Sequence, residues 1–311
     1  MTATQAEQTG QAEQAERAAA LAARTQHEAS IKRNPHGDFK AVEAARPDWA
    51  EQTAWHYTKT RAPDWQWGQG GNDGGASLAK EHVAIDPQAP GRAPTDNYKL
   101  MISAIVPRPV GFLSTLAADG RSSNLSPFSY TNMFCHDPPI FAVGIAGSIA
   151  RAKDSLANIV ATKECVLNII SEHFIEAANA TSVNAPYGVS EWALSGLHQA
   201  PTSFVKPPRV KEAVFSAECK LVDVKEFESK AHPGKRSGAL VILEGVNFWV
   251  REDAINEERN IIDPAVLRPI CRLGGITYGR VTEGFEIPRP DFSAMKNAPN
   301  ADELLEKASK P

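Results

Sequence analysis

The amino-acid sequence predicts a mainly β chain: a small closed barrel with Greek-key-like connections and a few peripheral helices. Three observations carry that expectation. About six strand patterns follow one another from residue 95 onward. Only two helical patterns lie among them, at 153–164 and 172–182. No series of βαβ units is present and no G-x-G-x-x-G turn follows a strand, which argues against a doubly wound dinucleotide-binding sheet.

Residues 1–31 are rich in Ala, Gln and Glu. These are good helix formers, but they present no wide apolar face. The segment reads as a solvated helix or as disorder. Residues 32–90 hold Trp49, Trp55, Trp65 and Trp67 and read as an extended arm. Its rings are expected to cover apolar surface, with contact to a ligand as the alternative. The glycines from Gly68 to Gly75 form a flexible loop, because Asp73 stands where the third glycine of a dinucleotide turn would be.

Residues 91–290 are assigned to the barrel and 291–311 to a C-terminal tail. Val110–Leu116 is the first strand, and Asp119-Gly120 marks a hairpin after it. Ile140–Ile145 is an apolar run. A helix over 153–164 presents Leu156, Ile159 and Val160 on one face, with Asp154 or Ser155 at its cap. Residues 164–170 return to strand, and 172–182 form a short helix. In 213–227, Phe215, Ala217, Cys219 and Leu221 alternate with Ser216, Glu218 and Lys220, the pattern of a half-buried strand. Residues 238–250 are apolar on both faces and therefore central. The polar loop 228–237 between these strands is expected to be mobile.

Composition narrows the function. Hydrophobic content of 42% and charged content of 23% are ordinary for a globular chain. A net charge of -4 gives no reason to expect nucleic acid or an anionic membrane as partner. No apolar run reaches the roughly 18 residues of a membrane span. The N-terminus lacks a signal-peptide core, and Glu7, Glu13, Glu16 and Glu28 argue against a transit peptide. The expected location is cytoplasmic. Cys135, Cys165, Cys219 and Cys271 form no CxxC pair and are expected to be reduced and mostly buried. His173, His198 and His232 lack metal-ligand spacing, so no metal is expected. No G-x-S-x-G elbow is present, which disfavours a serine hydrolase. Glu257-Glu258-Arg259 reads as a solvated charge cluster.

The stretch "PRPVGFLSTLAADGRSSNLSPFSY" (107–130) carries five serines, a threonine and an asparagine in a strand context. Pro107 and Pro109 flank Arg108 and mark a strand start. Asn124, Ser126, Ser129 and Thr131 lie near a second start. Such groups are costly to bury without partners. Water, their own backbone or a ligand rich in donors and acceptors could serve; the edge of a flavin ring is such a ligand. In "KDSLANI", Lys153 directly precedes a helix start, where free amides and the helix dipole can hold a phosphate. An ordinary helix cap is the alternative.

"YKL", "PRPVGFLST", "DG", "SNLSPFSY", "DPP", "KDSLANI", "VLNII", "PPRV" and "RLGGITYG" occur in that order from Tyr98 to Gly279, over roughly 180 residues. This pattern resembles the flavin reductase-like family, whose fold is an FMN-binding split barrel. "FKAVEAARPDW" and "PDWQWG" look similar to N-terminal extensions of fungal members. The resemblance implies that Arg108, Pro109, Ser114 and Thr115 lie beside the flavin. It implies that Asn124, Leu125, Ser126 and Pro127 follow the isoalloxazine edge, with Ser129 near the ribityl or phosphate. Lys153, Asp154 and Ser155 would bind the phosphate. Ser126 departs from the family, where Ala is common. Arg272, Gly274, Gly275 and Tyr278 read as tight-turn and packing residues that could also touch the ligand. His136 is a candidate for assisting hydride or proton transfer, with a surface histidine as the alternative. Homodimers with the flavin near the subunit interface are typical of the family.

The expected function is therefore an FMN-dependent oxidoreductase. NADH or NADPH would supply hydride, and oxygen, free flavin for a partner monooxygenase, or an organic substrate would receive the electrons. The alternative is a non-catalytic FMN-binding electron carrier. Oxidation of a pyridoxine-type phosphate is a weaker third reading, because no further basic residues near "KDS" could hold a second phosphate.

Overall fold

The structure, a computed structural model, describes residues 3–51, 54–186 and 188–309. Met1, Thr2, Gln52, Thr53, Tyr187, Lys310 and Pro311 lie outside this description. Two compact units are distinguished: residues 1–50 with 87–281, and residues 51–86 with 282–311.

The first unit is built on strands β1 (Arg108–Pro109), β2 (Gly111–Leu116), β3 (Ser123–Phe128), β4 (Thr131–His136), β5 (Pro139–Ala146), β6 (Glu164–Ile169), β7 (Phe215–Glu228), β8 (Arg236–Val250), β9 (Ile270–Arg272) and β10 (Tyr278–Arg280). Its principal helices are α1 (Ala3–Ser30), α2 (Pro94–Ala104), α3 (Asp154–Thr162), α4 (Ile175–Ala180) and α5 (Glu191–Ser195). Seven strands form one antiparallel sheet in the order β3-β2-β6-β7-β8-β5-β4. Its two edge strands, β3 and β4, are consecutive in the chain, separated only by Ser129 and Tyr130. The sheet thus curls back on itself without a β3–β4 ladder, which is the split barrel. β1, β9 and β10 form a separate small sheet in the order β10-β9-β1.

The curl requires close approach at two points. A Cβ on Gly111 would fall 2.7 Å from the Thr131 side chain and 2.8 Å from Leu167 Cδ1. A Cβ on Gly144 would fall 2.9 Å from Tyr130 Cβ, and the Gly144 N–H donates to the Tyr130 carbonyl at 2.7 Å. Glycine is the residue that permits such contacts.

The β2–β3 hairpin turns at Asp119-Gly120, with Gly120 at φ +69°. α3 covers one opening of the barrel. Its Leu156 and Ile159 are fully buried with Leu113, Val143, Leu167, Val241 and other barrel residues. Phe112, on the opposite face of β2, packs with Leu125, Phe174, Trp192 and Val210 in a second cluster. β2 is therefore a central strand with core on both sides.

Several elements depart from the sequence expectation. β7 is half-buried only from Lys220 onward: Ser216 and Glu218 are as covered as their apolar neighbours, whereas Lys220 is exposed as the alternation predicts. The segment over its outer face supplies the reason. The N–H groups of Ser203, Phe204 and Val205 donate to the Glu218 carboxylate, as do Asn247 and Trp249. Burial pushes this carboxyl up. The Asn247 amide, the Ser203 N–H, the Trp249 indole and the Phe204 N–H outweigh that and bring its pKa down to about 2. The loop after β7 is also shorter than its polar composition suggests, because the ladder runs to Glu228–Arg236. β4 has no strand signal in the sequence; it is an edge strand with Met133 and Phe134 exposed. "RLGGITYG" is a hairpin between β9 and β10, closed by hydrogen bonds between Leu273, Gly274 and Thr277.

In the second unit, His56–Tyr57 pairs in parallel with Glu283–Gly284. Trp55 meets Tyr57 edge-on at 5.5 Å, and Trp65 lies 6.2 Å from Trp67. Helices Phe292–Lys296 and Ala301–Ala308 complete it. Trp49 belongs to the first unit, where the Arg280 guanidinium sits 4.1 Å from its ring. Among the described residues no helix is long and apolar enough to cross a membrane.

Candidate functional site

A cleft of about 340 Å³ opens beside β3. One wall is the end of that strand and the connection to β4: Asn124, Ser126, Pro127, Phe128 and Ser129. The second wall is the start of α3, with Lys153, Asp154 and Ser155. Lys153 is the N-cap residue but makes no side-chain cap hydrogen bond. The first-turn amides of α3 therefore lack a side-chain cap, and their dipole end faces a lysine and a hydroxyl. Asn124 Nδ2 donates to Ser155 Oγ at 2.9 Å, tying the two walls together. Among the described residues no protein group hydrogen-bonds the hydroxyls of Ser126 or Ser129.

The remaining walls come from far along the chain. Thr181–Ala185 follow α4. Tyr278 of β10 donates to Asn179 Oδ1 at 2.9 Å, and Arg272 stacks on the Tyr278 ring at 4.1 Å. Arg24 and Glu28 come from α1, and Arg33 follows it. Glu28 bridges two cations, pairing with Arg33 and accepting from Lys153 at 3.4 Å. Burial pushes the Glu28 carboxyl up, but the Lys153 charge and the Arg33 hydrogen bond hold it below its ordinary range. It is therefore an anion at neutral pH. Glu191 behaves oppositely. Burial pushes its pKa up, and its own N–H and that of Leu125 offset this only in part. Asp154 nearby adds to the rise.

Six of the sequence-derived positions lie outside the cleft lining. Arg108 is buried, and its guanidinium donates to the carbonyls of Ile102, Ile105 and Leu273 at 2.5, 2.7 and 2.8 Å. It thereby ties the open carbonyl end of α2 to the β9–β10 hairpin. Pro109 is exposed on β1. Ser114 and Thr115 are fully buried in β2, Thr115 accepting from Asn158 at 3.0 Å and Ser114 Oγ having no partner. The Leu125 side chain is in the core, although its N–H donates to Glu191 at 3.2 Å. His136 is exposed at the tip of the β4–β5 hairpin. The other seven, Asn124, Ser126, Pro127, Ser129, Lys153, Asp154 and Ser155, converge in the cleft. Sequence reasoning missed Glu28, Arg33, Tyr98 and Glu191. Glu28 sits near the end of a segment that reads as solvated helix or disorder and Arg33 at the start of the extended arm, and no spacing links Glu191 to "KDS".

Comparison with known proteins places this architecture. The model of the flavin reductase like domain matches residues 102–267, just over half of the chain. A nitrilotriacetate monooxygenase component B of Bacillus cereus is 30% identical and superposes with a TM-score of 0.63, over 67% of this chain and 100% of that one. A 2-nitrobenzoate 2-nitroreductase of Pseudomonas fluorescens is 28% identical, with a TM-score of 0.59 over 68% and 98%. An uncharacterized protein of Halalkalibacterium halodurans is 31% identical over 199 residues, 64% of this chain and 93% of that protein. With its split barrel and its matching span, this chain belongs to the flavin reductase-like family of oxidoreductases.

Proposed function

We propose that the chain is an FMN-dependent oxidoreductase and that the β3–α3 cleft holds the flavin. The observation that carries this reading is the convergence of a helix start whose N-cap side chain makes no cap bond, Lys153 and Ser155 with the hydroxyls of Ser126 and Ser129, which have no hydrogen-bond partner among the described residues. The donor set fits the group. A phosphate suits the α3 amides and Lys153, and a ring rich in acceptors suits the small hydroxyls and the backbone of 124–129. When bound, the flavin supplies the redox chemistry. The chain's own residues bind, orient and exclude water. Lys153 offers charge to the phosphate, Ser126 offers a donor near the ring, and Tyr278 closes one side. Arg108, Ser114 and Thr115 support the walls without touching the ligand, and His136 has no part in this reading.

NADH or NADPH is the proposed reductant, with oxygen, free flavin or an organic molecule as acceptor. The B. cereus relative, by its name a component of a monooxygenase, supports delivery to a partner enzyme; the P. fluorescens relative, by its name a nitroreductase, supports direct reduction of an organic acceptor. We further propose a cytoplasmic homodimer. Exposed Tyr130, Met133 and Phe134 around edge strand β4 support self-association. Residues N-terminal to the barrel are proposed as an extension of the fungal type.

The test is an anaerobic absorption spectrum of the full chain with FMN, before and after NADH and then NADPH. Bleaching by either donor is expected. A bound flavin that neither donor bleaches would favour the carrier reading. No binding of FMN would refute both. Lys153→Ala is expected to weaken FMN binding about tenfold or more without loss of fold; unchanged affinity would remove the phosphate assignment.

A further inference from the structure

A second cleft, of about 530 Å³, lies on the other side of Arg33, Tyr98 and Tyr278, which line both clefts. Its size is within the range of roughly 300–1,000 Å³ found for small-molecule sites. Four cationic side chains border it: Lys32, Arg33, Arg46 and Lys99; His36 stands among them. No Asp or Glu is among its lining residues. The first cleft differs, since Glu28, Asp154 and Glu191 offset its cations. Arg33 is already paired with Glu28, but Lys32, Arg46 and Lys99 face no lining carboxylate, so of the two clefts the second has the stronger pull on an anion.

It also has aromatic walls. Phe39 and Tyr98 line it with Tyr278. The Arg46 guanidinium lies 5.9 Å from the Phe39 ring and that of Arg33 lies 5.4 Å from the Tyr98 ring. Each ring thus stands beside a guanidinium. The floor is the β9–β10 turn, where Gly274 and Gly275 keep the backbone low. A Cβ on Gly275 would fall 3.2 Å from the Arg33 carbonyl, and its φ is +59°. Nearly all of these residues lie outside the span shared with the family, 102–267.

A ligand matched to this cleft carries a planar ring and more than one negative charge. Rings stack on aromatic and guanidinium planes, and phosphates take forked guanidinium donors. We propose that the second cleft binds a nucleoside diphosphate group. Because the two clefts share the wall of Arg33, Tyr98 and Tyr278, a group held there would anchor the remote end of a dinucleotide reductant; this extension rests on the flavin reading, whereas the binding itself does not.

The experiment is calorimetric titration of the full chain with ADP, and separately with FMN. Wild type is compared with Arg46→Glu/Lys99→Glu and with Lys153→Ala. Arg46 and Lys99 are exposed and away from the core, so the double variant should retain the wild-type thermal midpoint. Adenosine serves as the uncharged control. The expected result is ADP binding weakened about tenfold or more by the double reversal and unaltered by Lys153→Ala, with FMN affinity unchanged by the double reversal. Three results would overturn the proposal: no ADP binding to wild type, equal ADP binding by the double variant, or adenosine binding as tightly as ADP. If FMN fails to bind wild type, the flavin reading falls, and the ADP titrations still decide this one.

Discussion

Replacing Glu28 with Gln tests whether α1 competes with a ligand for the flavin cleft. The Glu28 carboxylate lies between Lys153, at 3.4 Å, and Arg33, and its side chain is 29% exposed. It thus occupies one donor that a bound phosphate would take. Each such partly exposed pair is worth about 0.2–1 kcal/mol. Releasing both, and removing a negative charge from the path of an anion, should favour phosphate binding by about 1–2 kcal/mol. That corresponds to roughly 5- to 30-fold tighter FMN at about 1.36 kcal/mol per factor of ten. Glutamine keeps the shape and can still hydrogen-bond, so packing is preserved. The assay is quenching of flavin fluorescence at low salt, repeated near 1 M salt, where the Debye length of about 3 Å should shrink the difference. Equal or weaker FMN binding by Glu28→Gln would refute the reasoning. Glu28 would then serve to position Lys153 and Arg33 for the ligand.

Other expectations follow from the buried polar groups. Glu218 has a folded pKa of about 2 against an ordinary 4.5. A depressed carboxyl stabilises the fold above its unfolded pKa, and that stability is lost as pH falls through the window from about 5 to 2. The shift corresponds to at most about 3–4 kcal/mol. Denaturant unfolding of Glu218→Gln should therefore show lower stability at pH 7 and a flatter acid limb; an unchanged acid limb would contradict the assignment. Ser114→Ala removes a fully buried hydroxyl with no partner. It should be neutral or stabilising by up to about 1 kcal/mol, with FMN affinity unaltered; weaker FMN binding would return Ser114 to the ligand. Gly111→Ala forces a Cβ to 2.7 Å from Thr131 and should cost about 1–3 kcal/mol in thermal or denaturant unfolding. A wild-type midpoint would mean that the barrel seam yields easily.

By itself the sequence determined where several strands and the start of α3 lie. Alternation, apolar runs and the Asp119-Gly120 turn are local signals, so β2, β5, β6, β7 and β8 could be read from them. "KDSLANI" marked the start of α3 because a helix start is also a local event. The order of motifs from Tyr98 to Gly279 pointed to the family, and the match over 102–267 agrees. The direction of a side chain in a doubly covered strand is another matter. A serine in "FLST" looks the same whether it faces a ligand or a core; only the packing of α3 on one face of β2, and of Phe174 and Trp192 on the other, put Ser114 and Thr115 inside. Arg108 likewise gained its partners from α2 and the β9–β10 hairpin, the latter more than 160 residues away in the chain. Glu28, Arg33 and Tyr278 meet the β3–α3 cleft because folding brings distant segments to one place. No local pattern encodes that convergence: it depends on contacts that form only once the barrel and its N-terminal segment have packed.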